Sequence, residues 1–344
     1  MTDPRIVLAG SVTSSLRTLE GLVRNGARVA GVLGLAESRS GSVAGYRRLD
    51  HAAAAAGIPY LDFEDVNAEE VYHAVDRWAP DLLFVVGLSQ MVRPRLLGLP
   101  RAGCVGFHPT RLPEGRGRAP LAWLILEGVP GAATFFLMDA DMDSGPILVQ
   151  EPFGVEAHDY ASDVERHMLQ AIDRALDRWV PRFRAGEWSC RAQDHDRATY
   201  HGRRTPSDGL IHWDRPASEI DALIRAASRP HPGAYTYLQG CRLTIWRGAP
   251  AQAARYRGVA GRILDIGPEG HLLVQTGAGL IRVEEYEVDG QEISVRTGLK
   301  LGYEPQDEIH RLRKIVAGLE RQVAGLRGAW PGAGAAAAGE GRTP

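Results

Sequence analysis

The chain has 344 residues, of which 44% are hydrophobic and 24% charged, and its formal net charge is −2. These values lie in the ordinary globular range and exclude a largely disordered chain, while the length calls for two or three folding units. Near-neutral charge removes any general electrostatic reason to bind nucleic acid or an anionic membrane, and no apolar run approaches the roughly 20 residues that span a bilayer.

Apolar runs at 5–9, 28–34, 81–86, 104–108 and 133–138 alternate with helical periodicity near 14–25, 67–78 and 118–127. This βαβ rhythm predicts an α/β domain over 1–198, built as a Rossmann-like, mostly parallel sheet with helices on both faces. The loop from Ala9 to Ser15 follows the first strand but lacks the Gly-x-Gly-x-x-Gly pattern, so it is read as a turn and not as a dinucleotide site. From Tyr160 onward, Val164, Met168, Ile172, Leu176, Trp179 and Phe183 step by three or four residues and mark one long amphipathic helix packed on the sheet.

The stretch 199–240 is turn-rich and reads as a linker, with a helical pattern from Pro216 to Ala227. Short β-type runs then dominate 241–303, and a small OB-like β-barrel is their natural package. In 304–328, Ile309, Leu312, Val316, Leu319, Val323 and Leu326 alternate spacings of three and four. That pattern predicts either an amphipathic helix capping its own domain or a coiled-coil seam joining a homodimer through 309–326. The Gly/Ala-rich 329–344 reads as a disordered tail. Cys104, Cys190 and Cys241 are isolated, which indicates neither a disulfide framework nor a metal site. With no signal-peptide core near Met1, a cytoplasmic location is expected.

Two segments carry chemistry. Between Cys104 and Gly128 a strand enters a Pro- and Gly-punctuated loop and then a helix, which delivers His108 to the strand's C-terminal end, where open parallel sheets place ligands. Pro109 biases His108 toward an extended backbone. The polar loop Met138 to Gly145 follows the apolar run Thr134 to Leu137, so Asp143 is positioned to close on the same crevice. Arg116 and Arg118 flank Gly117 where the loop enters its helix, a setting suited to a phosphate or carboxylate, although surface ion pairs use the same residues.

Together these segments resemble the signature of the 10-formyltetrahydrofolate-dependent formyltransferases: Asn-x-His, a Leu-Leu-Pro-x-x-Arg-Gly-like loop, and an Asp in a Leu-Asp-Thr/Ser-Gly loop. His108, Leu112-Pro113, Arg116-Gly117 and Asp143-Ser144-Gly145 match, whereas Gly106 stands at the Asn position. The resemblance implies that His108 and Asp143 manage the proton leaving the acceptor amine, with 10-formyltetrahydrofolate as formyl donor. It also implies that Val86, Gly87, Leu88, Gln90, Met91 and Val92 wall the pterin on one side, with Asp139, Ala140 and Asp141 on the other. Thr110, Arg116 and Arg118 are the implied acceptor contacts.

Losing one oxyanion donor typically costs about 2.7–4 kcal/mol. A backbone N–H, Thr110, Arg118 or a substrate hydroxyl is therefore expected to replace the missing amide at Gly106, and the vacated volume to admit a bulkier acceptor. Arg116 to Pro120, Arg203 to Trp213 with Pro216-Ala217, and Pro230 to Tyr235 look most like the branch acting on UDP-4-amino-4-deoxy-L-arabinose. A nucleotide-linked amino sugar is thus the expected acceptor. Methionyl-tRNA is the alternative, and the 37–48 insertion is only modestly basic. A 10-formyltetrahydrofolate hydrolase and a degenerate folate- or nucleotide-binding protein are the remaining readings.

Overall fold

The computed structural model describes residues 4–253, 255–290, 293–302 and 305–328; the tail expectation falls outside this set. The N-terminal domain runs β1 (Arg5–Gly10), α1 (Thr13–Arg24), β2 (Arg28–Leu35), α2 (Asp50–Ala55), β3 (Tyr60–Phe63), α3 (Glu69–Trp78), β4 (Leu82–Val86), α4 (Pro94–Leu97), β5 (Cys104–His108), β6 (Arg116–Gly117), α5 (Pro120–Glu127), β7 (Gly131–Leu137), β8 (Ile147–Phe153) and α6 (Ala161–Arg184). Seven of these strands form one sheet in the order β3-β2-β1-β4-β5-β7-β8. The first five are parallel, and β7 then returns antiparallel to β5 and β8 antiparallel to β7. The expected parallel sheet therefore carries an antiparallel end. β3 and β8 are additions, since the short Tyr60–Phe63 run and the polar-interrupted Ile147–Phe153 give weak apolar signals.

Alternation along the strands feeds two cores. Val105, Phe107, Phe84 and Phe135 lie among the residues packed with α1, α5 and α6, while Val7, Leu33, Leu83 and Cys104 belong to the cluster on the other side of the sheet. Every residue of the stripe read from the sequence of α6 is buried, and the Asp163 carboxylate accepts the Tyr160 N–H at its start. Phe84 is fully buried, with ring centroids 5.9 Å from Phe135 and 5.8 Å from Trp179.

The remaining elements are β9 (Tyr200–His201), α7 (Ala217–Ala227), β10 (Ala234–Leu238), β11 (Cys241–Ala251), β12 (Ile263–Ile266), β13 (Leu272–Gln275), β14 (Leu280–Val288) and α8 (Pro305–Gly328). β10 to β14, without β9, make a five-stranded antiparallel sheet in the order β10-β11-β14-β13-β12. The segment 298–302 joins its two edges: the Leu301 N–H donates to Gly261 beside β12, and the Gly302 N–H donates to Tyr237 of β10. That closure gives the barrel-like package.

The linker expectation for 199–240 is corrected. Ile211, Trp213, Ile220, Ile224, Ala234 and Leu238 are buried core residues of the C-terminal domain, and the Trp213 indole donates to Thr236 Oγ1 at 2.9 Å. The turn-forming residues that made the segment look like a linker connect α7 and β10 to that core. α8 does not cap its own domain, because its apolar stripe is exposed. Among the described residues no helix is long and apolar enough to cross a membrane.

Truncating Phe84 removes a ring that Phe135 and Trp179 cannot collapse onto. Phe84→Ala is expected to cost about 3–5 kcal/mol, read as a lowered urea midpoint of the N-terminal domain's unfolding transition.

Candidate active site

Gly106 and His108 lie two residues apart on β5 and therefore face the same side of the sheet as Cys104. His108 is buried, and its Nε2 lies 2.8 Å from the Gly115 carbonyl. A carbonyl only accepts, so Nε2 carries the proton and the neutral ring leaves Nδ1 bare. Nδ1 lies 3.5 Å from Asp143 Oδ2, and that same oxygen accepts the Gly117 N–H at 2.9 Å. Burial pushes the His108 pKa below its ordinary value, opposed by the Asp143 charge and by the Gly115 hydrogen bond. At neutral pH the arrangement is a neutral imidazole with a lone pair beside a carboxylate, which can take a proton and stabilise the cation that results.

The loop that supplies Gly115 and Gly117 is fixed from behind. Gly115 N–H donates to Thr199 Oγ1, Arg116 N–H donates to the Thr199 carbonyl, and β6 pairs in parallel with β9. Gly117 has φ +114°, and a Cβ there would stand 2.3 Å from the His201 carbonyl, so only glycine allows this approach. Asp143 has φ +52°, a left-handed conformation uncommon for a side-chain-bearing residue. Its carbonyl accepts the Gln193 amide at 2.9 Å, and the Gly145 carbonyl accepts the same Nε2 at 2.7 Å.

Arg116 explains why Gln193 is held there. Its side chain is only 2% exposed, and its guanidinium donates to Gln193 Oε1 and to the Tyr200 hydroxyl, with Nη2 also 3.2 Å from His195 Nδ1. The expected acceptor contact is corrected: Arg116 is inaccessible and braces the Asp143 loop through Gln193. Thr110 is corrected in the same way, since it is buried and its hydroxyl donates to the Glu114 carbonyl. Arg118 is exposed at the start of α5, and its side chain has no hydrogen bond or ion pair among the described residues.

The space beside Gly106 is filled. A Cβ there would lie 2.7 Å from Phe136 Cζ and 3.1 Å from Met138 Cγ, so the expected room for a bulkier acceptor is absent. Phe136 is Gly106's cross-strand partner and is itself buried with Leu112, Ile147 and Met138. The volume of a side chain at 106 has passed to that aromatic ring.

The two loops assigned to the donor divide by exposure. Val86 and Val92 are buried in the sheet core, and the Gln90 amide is committed to Val66 N–H at 2.7 Å and the Glu64 carbonyl at 2.6 Å, so at these three positions the wall would be made by backbone and not by side chains. Met91 is 86% exposed and Met142 56% exposed, while Leu88 and Met138 pack on the same apolar cluster. Gly87 has φ +60°, and a Cβ there would meet Val12 Cγ2 at 2.1 Å. Ser15 Oγ donates to the Val86 carbonyl at 2.6 Å and Ser11 Oγ to the Gly87 carbonyl at 3.2 Å, so the first loop anchors the fourth strand's end. Asp139, Ala140 and Asp141 are exposed, and Asp139 Oδ1 accepts from Ser144 and from the Asp141 N–H.

His108 and Asp143 meet across one crevice, as their loops led us to expect, whereas the Gly117 contact to Asp143 and the parts played by Gln193, Thr199 and Ser15 were not read from the sequence. Gln193 and Thr199 are polar residues 50 and 84 positions from the groups they hold, and nothing local marks them. No group of three or more His, Cys, Asp or Glu side chains suited to a metal ion occurs among the described residues.

Gly106→Asn is expected to destabilise by about 1–3 kcal/mol, the usual cost of overpacking. Combining it with Phe136→Ala should cost less than the sum of the two single changes, because each relieves what the other strains; thermal unfolding of the four species in the double-mutant cycle checks this.

Comparison with known proteins gives a consistent picture. The formyl transferase pattern matches residues 19–180, and the formyl transferase C-terminal domain pattern matches residues 203–299. HypX from Aquifex aeolicus in complex with tetrahydrofolic acid is 15% identical with a TM-score of 0.60, over 85% of this chain and 45% of that one, so the chain spans less than half of that protein. An N-formyltransferase from Helicobacter canadensis in complex with folinic acid and dTDP-3-aminofucose is 16% identical with a TM-score of 0.59, over 81% of this chain and 98% of the other. Methionyl-tRNA formyltransferase from Clostridium thermocellum is 16% identical with a TM-score of 0.53, over 84% and 100%. At these identities the structures share the fold.

Proposed function

The chain belongs to the formyl transferase family, and from that premise we propose that it moves the formyl group of 10-formyltetrahydrofolate onto the amine of a nucleotide-linked amino sugar. The observation that carries the proposal is the His108 tautomer: Nε2–H is tied to Gly115, and bare Nδ1 stands 3.5 Å from Asp143.

Bound 10-formyltetrahydrofolate supplies an activated formyl group. An attacking amine must shed a proton as its nitrogen bonds to the formyl carbon, and the formyl carbon–N10 bond must break to release tetrahydrofolate; His108 Nδ1 is the base placed to take that proton, which is the one the departing N10 requires. The Asp143 carboxylate then stabilises the imidazolium, while Gly117 N–H and the Gln193 bridge keep Asp143 in position. Burial keeps the ring neutral beforehand, which is the state a base requires. With an aromatic ring and a thioether beside Gly106, oxyanion stabilisation falls to backbone or substrate groups.

The donor fits the loop pair through Met91 and Met142, whose exposed, polarisable side chains offer apolar surface to a flat ring. On the acceptor side, Arg118 is an exposed cation without a partner among the described residues and is suited to a phosphate. Arg204 lies over the Trp123 ring, 5.4 Å from its centroid, on the neighbouring surface. The nucleotide-sugar reading is also favoured over tRNA by the 37–48 insertion. Of its three arginines, Arg48 is neutralised by Asp50 at 2.8 Å, with Glu37 and Asp62 at 3.5 Å, so the insertion offers a polyanion little beyond Arg39 and Arg47.

The test incubates the protein with 10-formyltetrahydrofolate and either a panel of nucleotide-linked amino sugars or methionyl-tRNA, and reads the formyl mass increment. Formylation of the tRNA alone would replace the sugar reading, and donor cleavage with no formylated acceptor would favour hydrolysis. His108→Ala should lower kcat by about 10²- to 10⁴-fold, the usual worth of a general base, while donor affinity measured by titration stays close to that of the parent.

The pH profile carries a sign. Because burial lowers the His108 pKa, the acid limb of kcat/KM should lie below the ordinary imidazole value of about 6.5. In Asp143→Asn the residual activity should show a limb displaced further toward acid, since the charge that favoured protonation is gone. A limb moving upward would remove Asp143 from the pair.

A further inference from the structure

The apolar stripe of α8 is a surface that neither sheet accounts for. Ile309, Leu312, Val316, Leu319, Val323 and Leu326 are each 45–72% exposed. α8 meets the body of the chain near its start, where Arg311 lies against the turn at Gly240 and donates to Glu308. Gly318 and Gly325 sit within the helix and weaken it, and isolated helices of this kind are marginal in water. A helix of that composition with a bare apolar stripe requires a partner along its length.

We propose that the partner is a second copy of this chain, and that two α8 helices form a parallel, two-stranded coiled coil. The heptad positions segregate by side-chain shape. The first core position of each heptad is β-branched (Ile309, Val316, Val323), and the second is always leucine (Leu312, Leu319, Leu326). In parallel coils that division favours two strands, because the two core layers of a parallel pair offer holes of different shape, the first suited to a β-branched knob and the second to leucine. An antiparallel arrangement would set every β-branched residue opposite a leucine and give the division no consequence.

The flanking positions agree. Parallel pairing sets Glu308 beside Arg313 of the second copy, an attractive contact, and Ile315 beside Glu320, so no like charges face each other in these two flanking pairs. Ile315 is itself exposed and widens the seam. The seam is short, with a helix of 24 residues reaching about 36 Å. The dimer should therefore be reversible and concentration-dependent.

Sedimentation equilibrium of the full chain tests this. The expected mass rises with concentration toward twice 37.4 kDa. The variant carrying both Leu312→Glu and Leu319→Glu should remain at 37.4 kDa while retaining the parent's formyl-transfer turnover, since neither residue takes part in the hydrogen bonds that hold His108 and Asp143. Ile309→Cys should form a disulfide-linked dimer on mild oxidation, beyond any cross-linking of the parent chain through exposed Cys190. Parallel helices bring the two copies of position 309 together, whereas antiparallel helices separate them by about 25 Å along the axis. A chain that stays monomeric, a trimer, or a dimer that survives the two glutamates would overturn the proposal, and absence of the Ile309→Cys cross-link in a dimer would overturn its parallel orientation.

Discussion

The hydrogen bond from His108 Nε2 to the Gly115 carbonyl is the constraint on which the candidate site depends. It fixes the tautomer of a buried imidazole, so proton exchange has one nitrogen to use. It also ties β5 to a loop whose next glycine, Gly117, holds the carboxylate facing that nitrogen. Because the ring is buried, water does not compete for the Gly115 carbonyl, and a donor or acceptor left unmade there would cost more than the bond itself contributes. The fixed loop and the fixed tautomer are thus one arrangement.

Behind it lies a buried cation with neutral acceptors. Arg116 can serve as a brace because its planar fork reaches Gln193 and Tyr200 at once, a geometry that the point charge of a lysine does not reproduce. Gln193 then spends its two donors on the carbonyls of Asp143 and Gly145. The left-handed backbone at Asp143 persists because both sides of the loop are determined, by Gly117 on the side-chain oxygen and by Gln193 on the main chain. Gly106 belongs to the same economy of space: glycine on β5 and phenylalanine on β7 are cross-strand partners, and the ring of one occupies the room of the other.

The C-terminal half is organised by a different rule. Its small sheet has two edges, and 298–302 satisfies both with backbone hydrogen bonds, while residues 211–238 bring the tryptophan and the helix that fill the interior. The segment 187–201 belongs to the N-terminal domain: it runs beside β8 through the Ile147–Arg191 bridge and then supplies Gln193, Thr199 and β9 to the loops that carry Gly115, Gly117 and Asp143. The boundary between the halves therefore follows the hydrogen bonding near 201–206 and not the change in composition.

By itself the sequence determined the sheet's parallel core, the long helix α6, the strand-end position of His108 and the loop carrying Asp143. In each case the signal is local: hydrophobic periodicity of two or three to four residues, and glycine or proline at the turns. It determined the shape segregation along α8 for the same reason. Only the tertiary structure decided that Arg116 and Thr110 face inward, that Gln90 braces its own loop, that the room at Gly106 is taken by Phe136, and that Gln193 joins Arg116 to Asp143. Those outcomes depend on which polar groups meet across 24 to 84 residues of chain once the apolar cores have formed. A side chain's accessibility is set by packing around it, which one-dimensional spacing does not encode.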